Sequence, residues 1–211
     1  MSNVAIFSGA NLPVTAVAES LKKLEQAAPL AMVFLKMDKT GHWVFGADQT
    51  EVEQGTLWAV NPLSFTHGFI AWGKGEVLAE HMAPITEPLP EVGPPPPGAQ
   101  KGWEQQFGLC LKALTGEDAG MEARFATASV GGKRSVQTLG SAIAAQVAKD
   151  ATKPVPVVEL KVDSYQHKLY GKVQTPEFHI VKWISMEGDE DVQKLDAPAT
   201  EEPRRRQRRT A

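Results

Sequence analysis

The chain has 211 residues, of which 42% are hydrophobic and 22% are charged, a composition typical of a globular protein. No apolar run approaches the roughly 18 residues that a membrane helix needs, and the first residues lack the basic and apolar segments of a secretory signal. Cys110 is the only cysteine, which excludes an internal disulfide and suits a reducing compartment. These features predict a cytoplasmic protein without a membrane partner.

The charge is unevenly distributed along the chain. Residues 1–122 carry 7 Lys and Arg against 14 Asp and Glu, whereas residues 123–186 carry 9 against 4. A basic second half is able to form one positive face for an anionic partner. The alternative is that both halves fold together and the charges intermix.

The first part of the chain predicts one helix followed by strands. A helix is expected from Val14 to Ala27, where apolar residues recur at helical spacing after a capping region. The short apolar runs that follow are separated by glycine-containing turns and are typical of β-hairpins. We expect these strands at residues 31–37, 42–46, 56–60, 65–72 and 76–82.

Residues 84–98 contain seven prolines, including four in a row at 94–97. Such a segment cannot form a helix or a central strand, and it predicts an extended polyproline connection. It is either a linker between two halves of the body or a surface loop within one domain.

The second part predicts a hairpin, a helix and a further hairpin. Strands are expected at residues 102–114, 121–129, 155–162 and 174–183, with a loop from Asp163 to Gly171. The helix is expected from about Lys133 to Lys149, with a buried face at spacings of three and four residues. That face consists of Val136, Leu139, Gly140, Ile143, Ala144 and Val147.

This order predicts an α+β fold that is mainly β. It fits an OB-like Greek-key barrel or sheet with an N-terminal helix and one long helix before the last hairpin. A plain α+β sandwich gives the same order of elements. We expect one folded body over residues 1–186 and a disordered charged tail over 187–211, which ends in an arginine cluster at 204–209.

Two segments are candidates for contacts with nucleic acid. The start of the long helix has two glycines followed by Lys133 and Arg134, a combination that is able to hold a phosphate. It is not a Walker A loop, and a plain strand-to-helix turn is the alternative. The expected loop places Tyr165 and Tyr170 among cations, and single-strand binding needs aromatic faces for bases and cations for phosphates. Its candidate cations are Lys168 and Lys172. A long hairpin whose tyrosines pack back on the sheet is the alternative.

No catalytic or metal-binding motif is recognisable. The five histidines do not fall at metal spacings, and no HExxH or GxSxG occurs. We therefore expect no enzyme activity and no cofactor. The carboxylates between Asp38 and Glu53 leave a metal-dependent nuclease as a remote alternative.

The segments from Phe34 to Gly46 and from Tyr165 to Trp183 resemble uncharacterised proteins of tailed bacteriophages. The resemblance implies a viral protein that acts in the cytoplasm of the infected bacterium. Small phage proteins with this order of elements are often single-stranded DNA-binding proteins of OB type, an association of fold that transfers no site residue.

The expected function is therefore binding of single-stranded DNA during replication or recombination. Its partners would be single-stranded nucleic acid, replication proteins and further copies of the chain. The alternative is a viral protein-interaction or structural module without affinity for DNA.

Overall fold

The computed structural model describes residues 32–169 and 171–188. The predicted helix at Val14 to Ala27, residue Tyr170 and the tail beyond residue 188 lie outside the described residues. The described part contains ten strands and one helix, and it is mainly β as the sequence predicts. No helix in the described part is both long and apolar enough to cross a membrane.

The elements follow the predicted order, with one additional short strand, Thr50–Glu51, that the sequence did not predict. The first six strands precede the proline-rich segment, and the helix separates the seventh and eighth strands from the last two. They are β1 (Val33–Met37), β2 (Trp43–Phe45), β3 (Thr50–Glu51), β4 (Leu57–Val60), β5 (Thr66–Trp72), β6 (Val77–Pro84), β7 (Glu104–Ala113), β8 (Glu122–Thr127), α1 (Val130–Lys149), β9 (Val155–His167) and β10 (Gly171–Ile184).

All ten strands belong to one sheet. Its main path runs β10-β9-β4-β7-β8-β1-β2-β3, and the β5–β6 hairpin joins through β7. β1 pairs with β8 in parallel, and the other pairs are antiparallel. β7 is long enough to pair with β5 near its start and with β4 near its end.

The sheet curls, so that strands far apart along its path meet in the core. Trp43 of β2 lies 5.5 Å from Phe125 of β8 and 5.7 Å from Phe178 of β10, measured between ring centroids. The three rings are almost completely buried. Because such tilted aromatic contacts bury large apolar areas, this cluster stabilises the curl.

The helix α1 completes the core. Val136, Leu139 and Ile143 are buried at the predicted spacing and pack with Phe178 and the other core residues. Ala144 and Val147, which the sequence also assigned to the buried face, are exposed, so the end of α1 adds little to the core.

The helix begins three residues earlier than predicted. Ser129 is the N-cap, and its hydroxyl accepts a hydrogen bond from the Gly132 N–H at 3.0 Å. Val130 is therefore the first helical residue, and the two glycines lie in the first turn rather than in a loop.

The proline-rich segment follows β6 and returns to the sheet at β7. The Trp103 indole N–H donates to the Gly93 carbonyl at 2.8 Å, and the Gln100 N–H donates to the Trp72 carbonyl at 2.9 Å. The first bond joins the two sides of the four consecutive prolines, and the second holds the segment to the end of β5.

Candidate nucleic-acid interface

The last hairpin extends well beyond the sheet. The sequence predicted a loop from Asp163 to Gly171, but β9 continues to His167 and β10 already begins at Gly171. The prediction of a long loop is therefore wrong. β9 pairs with β4 only as far as Glu159, and further on it pairs with β10 alone among the described residues. We call residues 161–169 and 171–175 of this hairpin the arm.

The arm exposes its side chains on both faces. Every residue of β9 from Lys161 to Gln166 is exposed, although strand residues that cover a core are buried at every second position. Tyr165 is 45% exposed, and its ring lies 6.4 Å from the His167 ring. Tyr165 therefore does not pack back on the core, and its ring is accessible to a ligand.

Lys172 and Tyr165 point to opposite faces of the arm. In the antiparallel register Lys172 is paired with Gln166, whereas Tyr165 is paired with Val173. Because neighbouring residues of a strand point to opposite faces, Tyr165 shares its face with Asp163 and His167. A strand of nucleic acid that contacts both Tyr165 and Lys172 would have to pass over an edge or around the tip of the arm.

The start of α1 lies next to the base of the arm. A Cβ atom placed on Gly131 would lie 2.3 Å from Thr175 Cγ2, so the helix backbone touches β10 at this point. Thr175 is paired with Asp163 in the hairpin. This contact brings Lys133 and Arg134 into the same region of the molecule as the arm.

The same contact explains the two glycines. A Cβ atom on Gly132 would lie 2.2 Å from Thr127 Oγ1, so neither glycine leaves room for a side chain. The Gly132 N–H is already bonded to Ser129, and the Lys133 N–H donates to the Ser129 carbonyl at 2.9 Å. Close packing therefore accounts for the glycines without a phosphate loop, although the two cations remain available.

In the part of the chain that the structure describes, the predicted cations have no acidic partner, whereas several cations on the sheet do. Within the described residues, Lys133, Arg134, Lys168 and Lys172 form no ion pair. In contrast, three other cations lie close to a carboxylate oxygen. Lys112 is 3.7 Å from Glu122, Arg124 is 2.9 Å from Glu80, and Lys161 is 3.0 Å from Glu159. A cation without an acidic partner is able to bind a phosphate without first breaking an ion pair. The four predicted residues are therefore better suited to an anionic ligand than the paired cations are.

The arm is held at its base by the turn between β1 and β2. The Trp43 indole N–H donates a hydrogen bond to the Lys161 carbonyl at 2.9 Å. A Cβ atom on Gly41 would lie 3.2 Å from Val162 Cγ1 and 3.3 Å from Gln174 Cγ. Gly41 has a φ of 90°, a conformation that favours glycine in this turn. Sequence reasoning missed this role of Trp43, because no local pattern indicates a partner over a hundred residues away.

A cleft of about 400 Å³ lies beside the arm base, between β9 and the segment from β2 to β4. Its carboxylates are Glu51, Glu53 and Glu159. The Glu53 carboxylate accepts a hydrogen bond from the Glu117 N–H at 3.1 Å, and Glu51 lies 3.8 Å from His42. Lys161 also lines the cleft, where it is paired with Glu159 at 3.0 Å, so the carboxylates are in excess and the cleft is unfavourable for a phosphate.

The turn next to this cleft contains a carboxyl group of unusual acidity. Partial burial by itself would raise the pKa of Asp38, but hydrogen bonds from His42 N–H, Thr40 Oγ1 and Thr40 N–H lower that pKa to about 2, with help from the charge of His42. In the described part of the chain, no group of three or more metal-binding side chains is placed to hold an ion. The three hydrogen bonds to the Asp38 carboxylate stabilise the turn.

Comparisons of the chain with protein-family models, with curated proteins and with solved structures find no match in any of the three.

Proposed function

We propose that this protein binds single-stranded nucleic acid through the arm and the start of α1. The observation that carries the proposal is an exposed tyrosine on a projecting hairpin whose cations have no acidic partner among the described residues. Single-strand binding without sequence preference requires aromatic faces for bases and cations along the backbone. Tyr165 supplies a stacking face, and Lys168 and Lys172 supply charges on the same hairpin.

The start of α1 extends this interface. Lys133 and Arg134 lie where the helix meets β10, so a strand that follows the base of the arm would reach them. The acidic cleft on the other side of the arm base favours this direction, because phosphates avoid its carboxylates. Tyr170 belongs to the same proposal through its place in the sequence.

A single strand suits this geometry better than a duplex. The arm is a two-stranded hairpin with exposed faces, and it lets unpaired bases reach Tyr165. We further propose that DNA is the ligand, that the fold is OB-like, and that the protein acts in replication or recombination of a bacteriophage. It would then work in the host cytoplasm beside replication proteins.

A second candidate function is protein interaction without affinity for nucleic acid. Three of the four consecutive prolines, Pro94, Pro95 and Pro97, are exposed, and the hydrogen bonds of Trp103 and Gln100 hold the segment in place. A preformed proline segment is suited to an aromatic groove on a partner protein. This candidate predicts no salt-dependent binding of oligonucleotides.

Fluorescence-anisotropy titration of labelled single-stranded and duplex oligonucleotides at two salt concentrations separates the candidates. The arginine cluster at 204–209 is able to bind phosphates by itself, so a full-length variant with all five arginines changed to glutamine is titrated in parallel. We expect this variant to retain salt-dependent preference for single strands. Loss of all binding in this variant would assign the affinity to the arginine cluster and would contradict the proposed interface.

A further inference from the structure

Along the arm, β9 is paired with β10 alone among the described residues, so its other side is a strand edge. The Leu57 carbonyl accepts a hydrogen bond from the Leu114 N–H, so the backbone groups of the next residue, Trp58, point to its partner Val158 in β9. The backbone groups of Val158 therefore point away from β10, and no register shift follows between Val158 and Gln166. Because backbone groups alternate in direction along a strand, the N–H and C=O groups of Ser164 and Gln166 point to this edge.

This edge lacks the usual protection against pairing with another chain. The edge of β10 contains Pro176 and an irregularity between Ile180 and Lys182, and the start of α1 touches it at Thr175. Between Asp163 and His167 the edge of β9 has no proline and no bulge. An exposed regular edge is a template for a further strand.

The side chains along this edge are complementary to themselves. Asp163, Tyr165 and His167 point to one face in the order acidic, aromatic, basic. When two copies pair antiparallel with Tyr165 opposite the partner's Tyr165, each Asp163 lies opposite the partner's His167. The neighbouring registers are less favourable, since they place Asp163 opposite the partner's Asp163 or Lys161 opposite the partner's His167.

We propose that two copies of this chain form a symmetric dimer through β9 of each arm, centred on Tyr165. Pairing satisfies the edge backbone groups and removes apolar surface from water, and an isolated two-stranded hairpin is itself only marginally stable. Aromatic side chains directly opposite each other add to the stability of such a pair.

In the same register, the tip of each arm lies beside the base of the other arm. Lys161 lies opposite the partner's Leu169, and Lys161 lines the acidic cleft. Leu169 is 83% exposed and Lys168 has no ion pair within the described residues. The tip of each arm thus comes to the margin of the other copy's cleft.

The dimer would also affect the binding of nucleic acid, and this consequence rests on the proposed function. Two Tyr165 rings would lie side by side on one face of a continuous four-stranded surface. A single strand could stack on both rings, so dimerisation would lengthen the interface without any change in either fold.

Sedimentation equilibrium of the full-length protein tests the dimer without nucleic acid. We expect a mass of twice the 22.8 kDa of one chain. His167→Asp places two carboxylates opposite each other at two symmetric positions, and Asp163→Lys places lysine opposite histidine. Like charges at an interface are strongly unfavourable, so we expect each change to raise the dimer dissociation constant by about 100-fold.

The double variant Asp163→Lys with His167→Asp restores opposite charges and should restore the dimer. A single-chain mass for the unmodified protein, or single variants that dimerise as well as it does, would overturn the proposal. If a charge variant misfolds, disulfide cross-linking provides a second measurement. Tyr165→Cys in a Cys110→Ser background should form a disulfide-linked dimer on oxidation, whereas Val173→Cys on β10 should not.

The two proposals fail separately. A monomer that binds single strands refutes the dimer and leaves the proposed function intact. A dimer that binds no oligonucleotide refutes the proposed function and leaves the strand pairing intact.

Discussion

The Trp43 indole N–H and the Lys161 carbonyl are joined by a hydrogen bond of 2.9 Å, although 118 residues separate them in the sequence. Trp43 belongs to β2 and Lys161 to the base of the arm, so this bond joins two strands that are not neighbours in the sheet. The buried ring of Trp43 also contacts Phe125 and Phe178. One side chain therefore links the curl of the sheet to the position of the arm.

Trp43→Phe tests this link. The change keeps an aromatic ring in the core but removes the N–H group that donates to the Lys161 carbonyl. We expect the free energy of unfolding to fall by about 1–3 kcal/mol, measured by urea denaturation. Trp103→Phe is the matched control, because it removes an indole bond to Gly93 at an exposed site and should cost less. Equal losses in the two variants would contradict the special role of Trp43.

Gly131→Ala tests the contact between α1 and β10. The new methyl group would overlap Thr175 Cγ2, and we expect a loss of about 1–3 kcal/mol in the free energy of unfolding. Thr175→Ser removes that methyl group and should recover part of the loss in the double variant. Gly140→Ala is the control within the same helix, since its nearest neighbour, Phe65, lies at an ordinary 3.8 Å. The control should stabilise the protein by up to about 1 kcal/mol through helix propensity.

Lys172→Ala tests the charge of the arm. We expect the slope of log Kobs for single-stranded DNA against log salt concentration to become less steep by about one unit. Lys112→Ala is the matched control, because Lys112 is already paired with Glu122 and lies outside the arm. Titrations over a range of salt concentrations measure both slopes. The same decrease in both variants would show that the arm has no special part in binding.

Asp38 predicts a pH dependence of stability. The pKa of this carboxyl is about 2 in the folded protein, below its ordinary value of 3.8. A lowered folded pKa stabilises the protein fully above the ordinary value, and the contribution is lost as pH falls from about 4 towards 2. Asp38→Asn should therefore reduce the free energy of unfolding at neutral pH. Between about pH 4 and pH 2, the free energy of unfolding of this variant should decrease less than that of the unmodified protein. Asp48→Asn, in an exposed turn nearby, should retain the acid dependence of the unmodified protein.

Local patterns predicted most of the elements but not their arrangement. The helix was predictable because Val136, Leu139 and Ile143 recur at the spacing of one buried face. The parallel pairing of β1 with β8 was not, since strands about ninety residues apart carry no local signal of their contact. The curl of the sheet has the same origin, because it depends on Trp43 meeting residues distant in the sequence.

The arm shows where sequence patterns mislead. Its residues from Lys161 to Gln166 are all exposed, so the alternation of apolar and polar residues that indicates a strand is absent. Asp163 and Ser164 are typical of loops, and the sequence therefore predicted one. The candidate residues were chosen from the sequence alone, and their role in binding stays a prediction. Their division between the two faces of the arm required the pairing register.

The most direct test of the proposed function is a comparison of two full-length proteins by fluorescence anisotropy. One is the unmodified chain, and the other carries alanine in place of Lys133, Arg134, Tyr165, Lys168 and Lys172. Circular dichroism first establishes that both are folded. We predict tight, salt-dependent binding of single-stranded DNA by the unmodified chain, with weaker binding of duplex, and a loss of at least tenfold in the variant because stacking on Tyr165 alone contributes about 1–3 kcal/mol. Equal affinities of the two proteins, or no binding by either, would contradict the assignment of this interface.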